Sequence, residues 1–359
     1  MIHPARLLRI LPFFLTVSLL GCNFTHAGDP VAVIPGRSWS AEDGHLVKLN
    51  RNAPGGAVAD GDTVRAIGMD ESIRIAGIDT EELFVNEEQR KVAMKDFDAY
   101  ARAQRADSIK PVKFGTPAGH AAKEWAQKFF SKTDKVLFVH DKPEEPRGYY
   151  NRHIGHLLVD RDQDGSFEQN FAVEAVRQGH SAYFTKYGHS KLFHEEFLAA
   201  QKEAREAKRG IWNDGPDVPR HYPDYPERLL WWNRRGETIA RYESLHGDDM
   251  NYYRMGIVDD LKRLRKTLKQ GEGQEVTLFG TLRLPENGKP RGVLATISHK
   301  NRKDVGLVWD SGTPSKDRKI DLSKFDGEFV YLRGTLYSSK KTRLGIEIRI
   351  RGIDSIGKE

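Results

Sequence analysis

The sequence is poor in cysteine, which limits how the chain can be held together. Cys22 is the only cysteine among 359 residues, so no disulfide can form within the chain. Long apolar runs are also scarce, because 38% of the residues are hydrophobic and 30% are charged. The one long apolar run, at 10–20, is too short for a comfortable membrane span. The composition is that of a soluble chain of one or two domains.

Neither sign of charge dominates. The chain has 57 Lys+Arg against 51 Asp+Glu and a formal net charge of +6. This is a mild bias towards anionic partners, and it excludes the strong positive field of a histone-like protein.

The apolar run at the N-terminus follows Arg6 and Arg9 and predicts a secretory signal peptide over 1–27. Two cleavage sites compete. Residues 19–22 resemble a bacterial lipobox, which would make Cys22 a lipidated first residue and anchor the protein to a membrane. Residues 25–27 would instead suit ordinary signal peptidase. We therefore expect an exported protein, either a cell-envelope lipoprotein or a secreted or periplasmic one.

The most informative stretch is 73–82. It begins as a β-branched apolar run, which predicts a buried strand, and it ends in three carboxylates within four residues. A turn at 60–63 supplies two more carboxylates, and 150–152 brings an arginine to the head of another strand-like run. Carboxylates from two places and two arginines are the groups needed to hold a divalent cation against a phosphate.

The surrounding pattern predicts an α+β domain. We expect a loose leader over 28–57, a hairpin from 58, and a charged excursion over 83–113 with a short helix around 92–103. A helix begins at Thr116, with Thr as its cap and Pro117 in its first turn. Further strands are predicted at 135–140 and 153–159, and further helices at 170–178 and 194–208. This order predicts a small barrel with helices packed on it.

A different pattern begins after a proline-rich segment at 216–226, which predicts a semi-rigid linker and a domain boundary. Apolar residues spaced by three and four over 250–268 predict an amphipathic helix, whose basic face is either solvated or in contact with nucleic acid. Five strand-like runs then predict a second small all-β barrel that resembles an OB-fold, at 276–284, 293–298, 305–309, 329–336 and 345–353. Its role is open between an accessory binding domain and a structural one.

Five spaced motifs carry a resemblance to a known family. They are 60–63, 73–80 followed by Glu82, 150–152, 176–179 and 210–212. In this order, over about 58–213, the chain resembles the staphylococcal-nuclease-like (thermonuclease) family, and the resemblance does not reach the C-terminal part. It implies a five-stranded OB barrel with three helices. The predicted organisation is a signal peptide 1–27, a leader 28–57, a nuclease domain 58–215, a linker and helix 216–270 and a second barrel 271–359.

The resemblance also implies roles for individual residues. Asp62 and Asp79, with the Thr80 carbonyl, would bind Ca²⁺, an ion that prefers hard oxygen ligands. Arg74 and Arg152 would clamp the phosphate, since a guanidinium fork suits two adjacent oxygens. One further residue is implied for the water and one for the substrate: Glu82 would orient or deprotonate the attacking water, and Tyr187 would contact the substrate.

These roles predict an exported, Ca²⁺-dependent nuclease that hydrolyses DNA, RNA or both with low sequence specificity. The resemblance implies cleavage of the 5′ P–O bond, which leaves 3′-phosphate ends. The alternative is a non-catalytic module that binds nucleic acid on the same scaffold. Nothing in the sequence points to an obligate protein partner.

Some residues depart from the family pattern or compete with it. Glu81 stands where proline is common, and beside a cation it would raise metal affinity or repel the substrate phosphate. Asn151 stands where glycine is usual, and Arg147 is a rival to Arg152.

Two further clusters imitate metal sites. Residues 160–165 open like an EF-hand loop, but Phe171 occupies the twelfth position, where a bidentate Glu is required, so a polar turn is predicted. Histidines 153, 156, 180, 189 and 194 form no zinc motif, so surface or hydrogen-bonding roles are predicted.

Overall fold

The structure is a computed structural model. It describes residues 37–357 apart from 107, 109, 134, 145, 149, 247–248, 256–257, 286–292, 299–304, 316–317, 319–320 and 343. The predicted signal peptide, with Cys22, lies outside the described residues. Within the described part of the chain, none of the helices combines the length and the apolar character that a membrane span needs.

The first half of the chain builds a barrel around an apolar core. Its strands are β1 (His45–Leu49), β2 (Val58–Asp60), β3 (Thr63–Val64), β4 (Ala66–Ile67), β5 (Ile73–Ile75), β6 (Lys135–Val139), β7 (His153–Val159) and β8 (Gln169–Asn170). The hydrogen-bonded order is β2-β3-β5-β7-β6-β1-β4, and β8 pairs with β7. Only Arg65 separates β3 from β4, so this one stretch pairs with β5 at one end and β1 at the other. The sheet thereby closes into five strands, as predicted.

The leader prediction is wrong for part of 28–57. His45–Leu49 forms β1, which pairs with β4 and β6. Val47 and Leu49 are buried in the barrel core together with Trp39. The strand escaped prediction because it is short and because Lys48 and the preceding charged residues dilute its apolar pattern.

The charged excursion over 83–113 contains two helices rather than one, α1 (Glu87–Lys95) and α2 (Phe97–Arg105). Asp96 lies between them in an extended conformation. Its side chain accepts a hydrogen bond from Ala99 N–H and so caps α2. The predicted helix over 92–103 spans this break.

Three helices cover the first barrel: α3 (Pro117–Phe129), α4 (Phe171–Arg177) and α5 (His194–Glu206). Thr116 caps α3 as expected, because its hydroxyl accepts a hydrogen bond from Gly119 N–H at 3.0 Å. Phe171 and Phe197 are fully buried and bring α4 and α5 into the barrel core.

A long helix, α6 (Tyr225–His246), begins at the end of the segment 216–226 that was predicted as a linker. Its N-terminal half packs Tyr225, Leu229 and Trp232 against α2 and the segment around Phe114. Its C-terminal half packs Ile239 and Tyr242 against aromatic residues of the second barrel. Since one helix contributes to both apolar clusters, the chain that follows the predicted semi-rigid linker is a packed helix.

The amphipathic helix predicted over 250–268 is shorter than expected. The observed helix is α7 (Val258–Gln270), whereas Tyr252–Arg254 forms β9, which pairs in parallel with β10 (Glu275–Arg283). Of the predicted helix, residues 256 and 257 lie outside the described residues. Tyr253 is buried as predicted, but as part of a sheet, in which it lies opposite Leu278.

The second barrel confirms the predicted all-β fold. Its strands are β10 (Glu275–Arg283), β11 (Ala295–Ser298), β12 (Val305–Trp309), β13 (Phe329–Ser338), β14 (Ile346–Ile350) and β15 (Ile356–Gly357). Five of them run in the order β13-β14-β12-β11-β10, and pairing of β10 with β13 closes the barrel. The α+β fold class predicted from the sequence is confirmed.

Candidate active site

A tight turn after β5 presents the acidic stretch. Gly77 has φ +78°, and a Cβ at this position would lie 2.4 Å from the ring of Phe197. Only glycine satisfies both conditions. The turn carries the chain off the barrel, and Asp79 follows with its N–H donated to Ser181 Oγ at 3.0 Å.

Asp62 reaches the same place from the turn between β2 and β3. Its Oδ2 accepts hydrogen bonds from Thr80 N–H at 2.9 Å and from Thr80 Oγ1 at 3.1 Å. Its Oδ1 forms an ion pair with Arg74. Both carboxylates predicted as metal ligands are therefore buried and held close to one guanidinium.

Asp79 is paired with two cations. Its Oδ1 lies 2.5 Å from Arg74 Nη2 and 2.6 Å from Lys113 Nζ. Burial raises the pKa of Asp79, but Lys113 and then Arg74 outweigh it and hold that pKa below its ordinary value. Asp79 is thus an anion whose charge is balanced within the protein.

Arg74 and Arg152 line one cavity of about 290 Å³, together with Asp79, Lys186 and Tyr187. Arg152 donates to Thr63 Oγ1 at 3.3 Å, and its guanidinium carbon lies 5.6 Å from the ring centroid of Tyr150.

The rival arginine is engaged elsewhere. Arg147 makes two hydrogen bonds to Asp70, at 2.9 and 3.0 Å, and one to the Asn151 carbonyl at 2.9 Å. Asn151 itself has φ +61°, a left-handed conformation that explains why glycine is usual at this place.

Glu82 lies beside these groups but is more open to solvent, with 48% of its side chain exposed. Its Oε1 accepts a hydrogen bond from Lys113 Nζ at 3.3 Å, so Lys113 joins Glu82 to Asp79. Sequence reasoning missed Lys113, because no local pattern distinguishes it from the other lysines of the 83–113 excursion.

Glu81 does not belong to this cluster. It is buried and accepts hydrogen bonds from the Thr116 hydroxyl at 2.5 Å, Tyr222 N–H at 2.8 Å and the Tyr225 hydroxyl at 2.9 Å. The expectation that Glu81 adds charge beside a cation is therefore wrong, since alternate side chains of an extended stretch point in opposite directions.

The arrangement agrees with a comparison of sequences. The family model of staphylococcal nuclease homologues matches residues 72–214. This segment is a staphylococcal-nuclease-like domain. The match indicates a nuclease-type or nucleic-acid-binding function. It begins after Asp62 and leaves the second barrel uncovered.

A curated protein is similar to part of the chain. An uncharacterized protein of Methanocaldococcus jannaschii is 25% identical to the chain over 158 residues, which is 44% of this chain and 69% of the relative. The relative has no assigned activity, so this likeness adds no function.

Hydrogen bonds within the protein engage the acidic cluster that imitates an EF-hand loop. Asp160, Asp162 and Asp164 have carboxylate oxygens within 4.8 Å of one another. The described part of the chain has no other group of three or more His, Cys, Asp or Glu side chains close enough to hold one metal ion. Asp160 accepts Gln163 and Gly165 N–H groups, so the segment is the predicted polar turn between β7 and β8.

Three of the five histidines show the predicted hydrogen-bonding roles. His156 Nε2 lies 3.1 Å from Asp141 in the core, and His153 Nε2 lies 2.8 Å from Asp70. His194 Nδ1 lies 3.0 Å from the Tyr183 hydroxyl.

Proposed function

We propose that the protein is an exported, Ca²⁺-dependent nuclease that hydrolyses phosphodiester bonds of DNA, RNA or both with low sequence specificity. The observation that carries this proposal is the placement of Arg74 against both Asp62 and Asp79 at the edge of a cavity that Arg152 also lines. Two guanidinium groups beside two buried carboxylates are suited to hold a phosphodiester next to a cation.

The donor set fits Ca²⁺ in kind. Asp62 and Asp79 supply carboxylate oxygens. The Thr80 carbonyl accepts no hydrogen bond within the described part of the chain, so it is available as a third oxygen ligand. When bound, the ion would make a coordinated water more acidic and offset charge on the phosphate. It would displace Lys113 from Asp79.

The protein's own groups would do the remaining work. Hydrolysis takes a phosphodiester of charge −1 towards a pentacoordinate state with nearly −2, and Arg74 and Arg152 would donate hydrogen bonds to its equatorial oxygens. Glu82 would orient or deprotonate the attacking water. Its carboxylate accepts a hydrogen bond from Lys113, and the side chain is 48% exposed, so it can reach a water molecule. Attack in line with the 5′ oxygen would leave a 3′-phosphate end. Tyr187, which lines the cavity, would contact the substrate.

The second candidate function is binding without cleavage. It is favoured by one observation, that Lys113 pairs with both Asp79 and Glu82 and so neutralises them within the protein. Binding requires the cations of the cavity but does not require Glu82.

A digestion assay separates the two functions. The mature protein is incubated with single-stranded DNA, double-stranded DNA and RNA, in calcium and in chelator, beside Glu82→Gln and the control Glu88→Gln, an exposed carboxylate on α1. We expect calcium-dependent cleavage that only Glu82→Gln abolishes, with binding retained. Cleavage that survives Glu82→Gln contradicts the mechanism, and binding without cleavage by every protein establishes the second function.

Export and anchoring are tested separately. The intact mass of the N-terminal peptide, from protein recovered after expression in a bacterium, distinguishes a lipidated Cys22 from an unmodified chain that begins at Gly28. The second result removes the membrane anchor and leaves a secreted or periplasmic protein.

A further inference from the structure

A groove larger than the active-site cavity lies beside it. It has a volume of about 680 Å³ and lies between α6, residues 110–111 and the start of β13. Trp231 lines this groove, and Lys186 lines the active-site cavity. Lys186 Nζ lies 4.2 Å from the ring centroid of Trp231, so the two spaces meet at this pair.

The groove carries positive charge that the protein leaves partly uncompensated. Four of its lining residues are cationic: Lys110, Arg234, Arg235 and Arg241. Of its three carboxylates, Glu227 is bound to Arg105 at 2.8 Å, outside the groove, and Glu328 lies 3.1 Å from Lys110 and 3.9 Å from Arg235. The exposed Arg234 guanidinium has no ion-pair partner within the described part of the chain.

Lys186 likewise forms no ion pair with a carboxylate among the described residues, although it is less exposed. Burial, and then the Arg235 guanidinium, lower the pKa of Lys186 to about 8, because the ammonium is crowded by other cations in a partly dry place. Burial likewise lowers the pKa of Arg235 to about 10. A bound polyanion would favour the charged form of both groups.

Trp231 adds an aromatic surface among these cations. Its ring is half-buried, with Lys186 Nζ at 4.2 Å and Lys110 Nζ at 5.7 Å from its centroid. Its Nε1 is buried and has no acceptor within the described part of the chain. An indole without an acceptor is unusual, since a buried Trp N–H normally finds a partner. Single-stranded nucleic acids are bound by this combination of stacking rings and cations.

We propose that this groove binds the part of a single-stranded DNA or RNA substrate that extends beyond the phosphate held at Arg74 and Arg152. Arg234 and Lys186 would contact phosphates, and Trp231 would contact a base. The inference rests on the proposed function, because it extends the same substrate across α6 to the edge of the second barrel. It assigns α6 a binding role beside its structural one.

The experiment compares short and long oligonucleotides. Fluorescence anisotropy is measured in chelator with labelled single strands of about 4 and about 16 nucleotides, a range that single binding modules span. Glu82→Gln protein is used throughout, so binding is read without cleavage. In this background we compare Arg234→Ala, Trp231→Ala, Trp231→Phe and the control Arg265→Ala, an exposed arginine on α7.

We expect the unsubstituted background to bind the long strand more tightly than the short one. Arg234→Ala should weaken binding of the long strand by about 10-fold and should weaken binding of the short strand less. The slope of log affinity against log salt concentration should become shallower by about 0.7 for the long strand, because one phosphate contact is lost. Trp231→Ala should weaken binding of the long strand to a similar extent. Trp231→Phe should retain most of the affinity, because it keeps an aromatic ring. Arg265→Ala should change neither the affinity nor the salt slope.

Three outcomes would overturn the inference. The first is an unchanged long-strand affinity and salt slope in Arg234→Ala, which folds without a core change because the residue is exposed. The second is an equal affinity of the unsubstituted background for short and long strands. The third is displacement of the long strand by a polyglutamate peptide as effectively as by an unlabelled oligonucleotide, which would identify an acidic protein as the occupant. If the native protein cleaves nothing but its long-strand binding depends on Arg234, hydrolysis fails as a function and the groove stands.

Discussion

The Tyr225 hydroxyl donates a hydrogen bond to Glu81 Oε1 at 2.9 Å, which joins the first residue of α6 to the stretch between Asp79 and Glu82. Tyr222 strengthens this connection, because its N–H also binds Glu81 and its hydroxyl lies 3.4 Å from Glu82 N. The stretch that carries the candidate catalytic groups is therefore held from behind by a segment outside the family match.

Replacing Glu81 should separate its structural role from any role in metal binding. Glu81→Ala leaves the Thr116 and Tyr225 hydroxyls without their acceptor, and we expect it to lower the free energy of unfolding by about 2 to 4 kcal/mol. Burial raises the pKa of Glu81, so the folded protein tolerates a neutral side chain there, and Glu81→Gln should cost less than about 1 kcal/mol. Urea unfolding measures both changes.

Glu81→Gln also tests whether Glu81 affects binding of the cation. Calorimetric titration with Ca²⁺ should give the same affinity for Glu81→Gln as for the native protein, because Glu81 faces Thr116 and the tyrosines. A several-fold change in that affinity would contradict the orientation described above.

Lys113 should compete with a bound cation. It occupies Asp79 Oδ1 at 2.6 Å, and a divalent ion must displace it. Because the cation no longer has to break an ion pair that contributes on the order of 1 kcal/mol, we expect Lys113→Met to bind Ca²⁺ about fivefold more tightly than the native protein. Calorimetry with Ca²⁺ alone checks this without reference to activity.

The matched control for that measurement is Lys91→Met, an exposed lysine on α1 with no ion pair among the described residues. If Lys113→Met and Lys91→Met have equal affinities, then the ion does not bind at Asp79.

Replacing Arg152 should lower kcat far more than replacing Arg147, its rival as the phosphate-binding arginine. Arg152 lines the cavity, whereas Arg147 is bound to Asp70 and to the Asn151 carbonyl. Arg152→Ala should lower kcat on the order of 100-fold, because one donor to the transition state is lost. Arg147→Ala should change kcat less than about threefold, since Arg147 is bound to Asp70 and is not among the residues that line the cavity. Rates on single-stranded DNA in saturating calcium decide between them, and equal losses would remove the distinction.

The sequence predicted the barrel elements because their patterns are local. The strand at Ile73–Ile75, the cap at Thr116 and the helix at His194–Glu206 each depend on neighbours within a few residues. It also identified Arg74, Asp79 and Arg152 as candidates, and the structure brings them to one cavity.

What the sequence could not reveal depends on distant contacts. The three partners of Glu81 lie 35, 141 and 144 positions away, so nothing near Glu81 indicates its orientation. Helix α6 had a usable pattern, since its buried apolar residues are spaced by three, four and seven. Prolines before it suggested a linker, and its buried face includes Arg235 and Gly236. A Cβ on Gly236 would lie 2.9 Å from the Thr185 carbonyl, so only tertiary packing explains this glycine.

His180 should make stability depend on pH. Its ring stacks on Trp125 with a centroid separation of 4.7 Å, and burial lowers its pKa to about 4. The unfolded chain, with an ordinary histidine pKa, binds a proton more readily than the folded one between about pH 6.5 and 4. Stability contributed by the neutral ring is therefore complete above about pH 6.5 and lost as the pH falls through this window.

The loss is on the order of 2 to 3 kcal/mol, and His180→Gln should not show it, because Gln does not titrate. The measurement is the difference in unfolding free energy between native protein and His180→Gln, taken from urea titrations at pH 7, 5.5 and 4. Taking the difference cancels the titration of all other groups. The native protein should lose stability relative to the variant as the pH falls. Parallel curves would show that the ring is hydrated enough to accept a proton in the folded state.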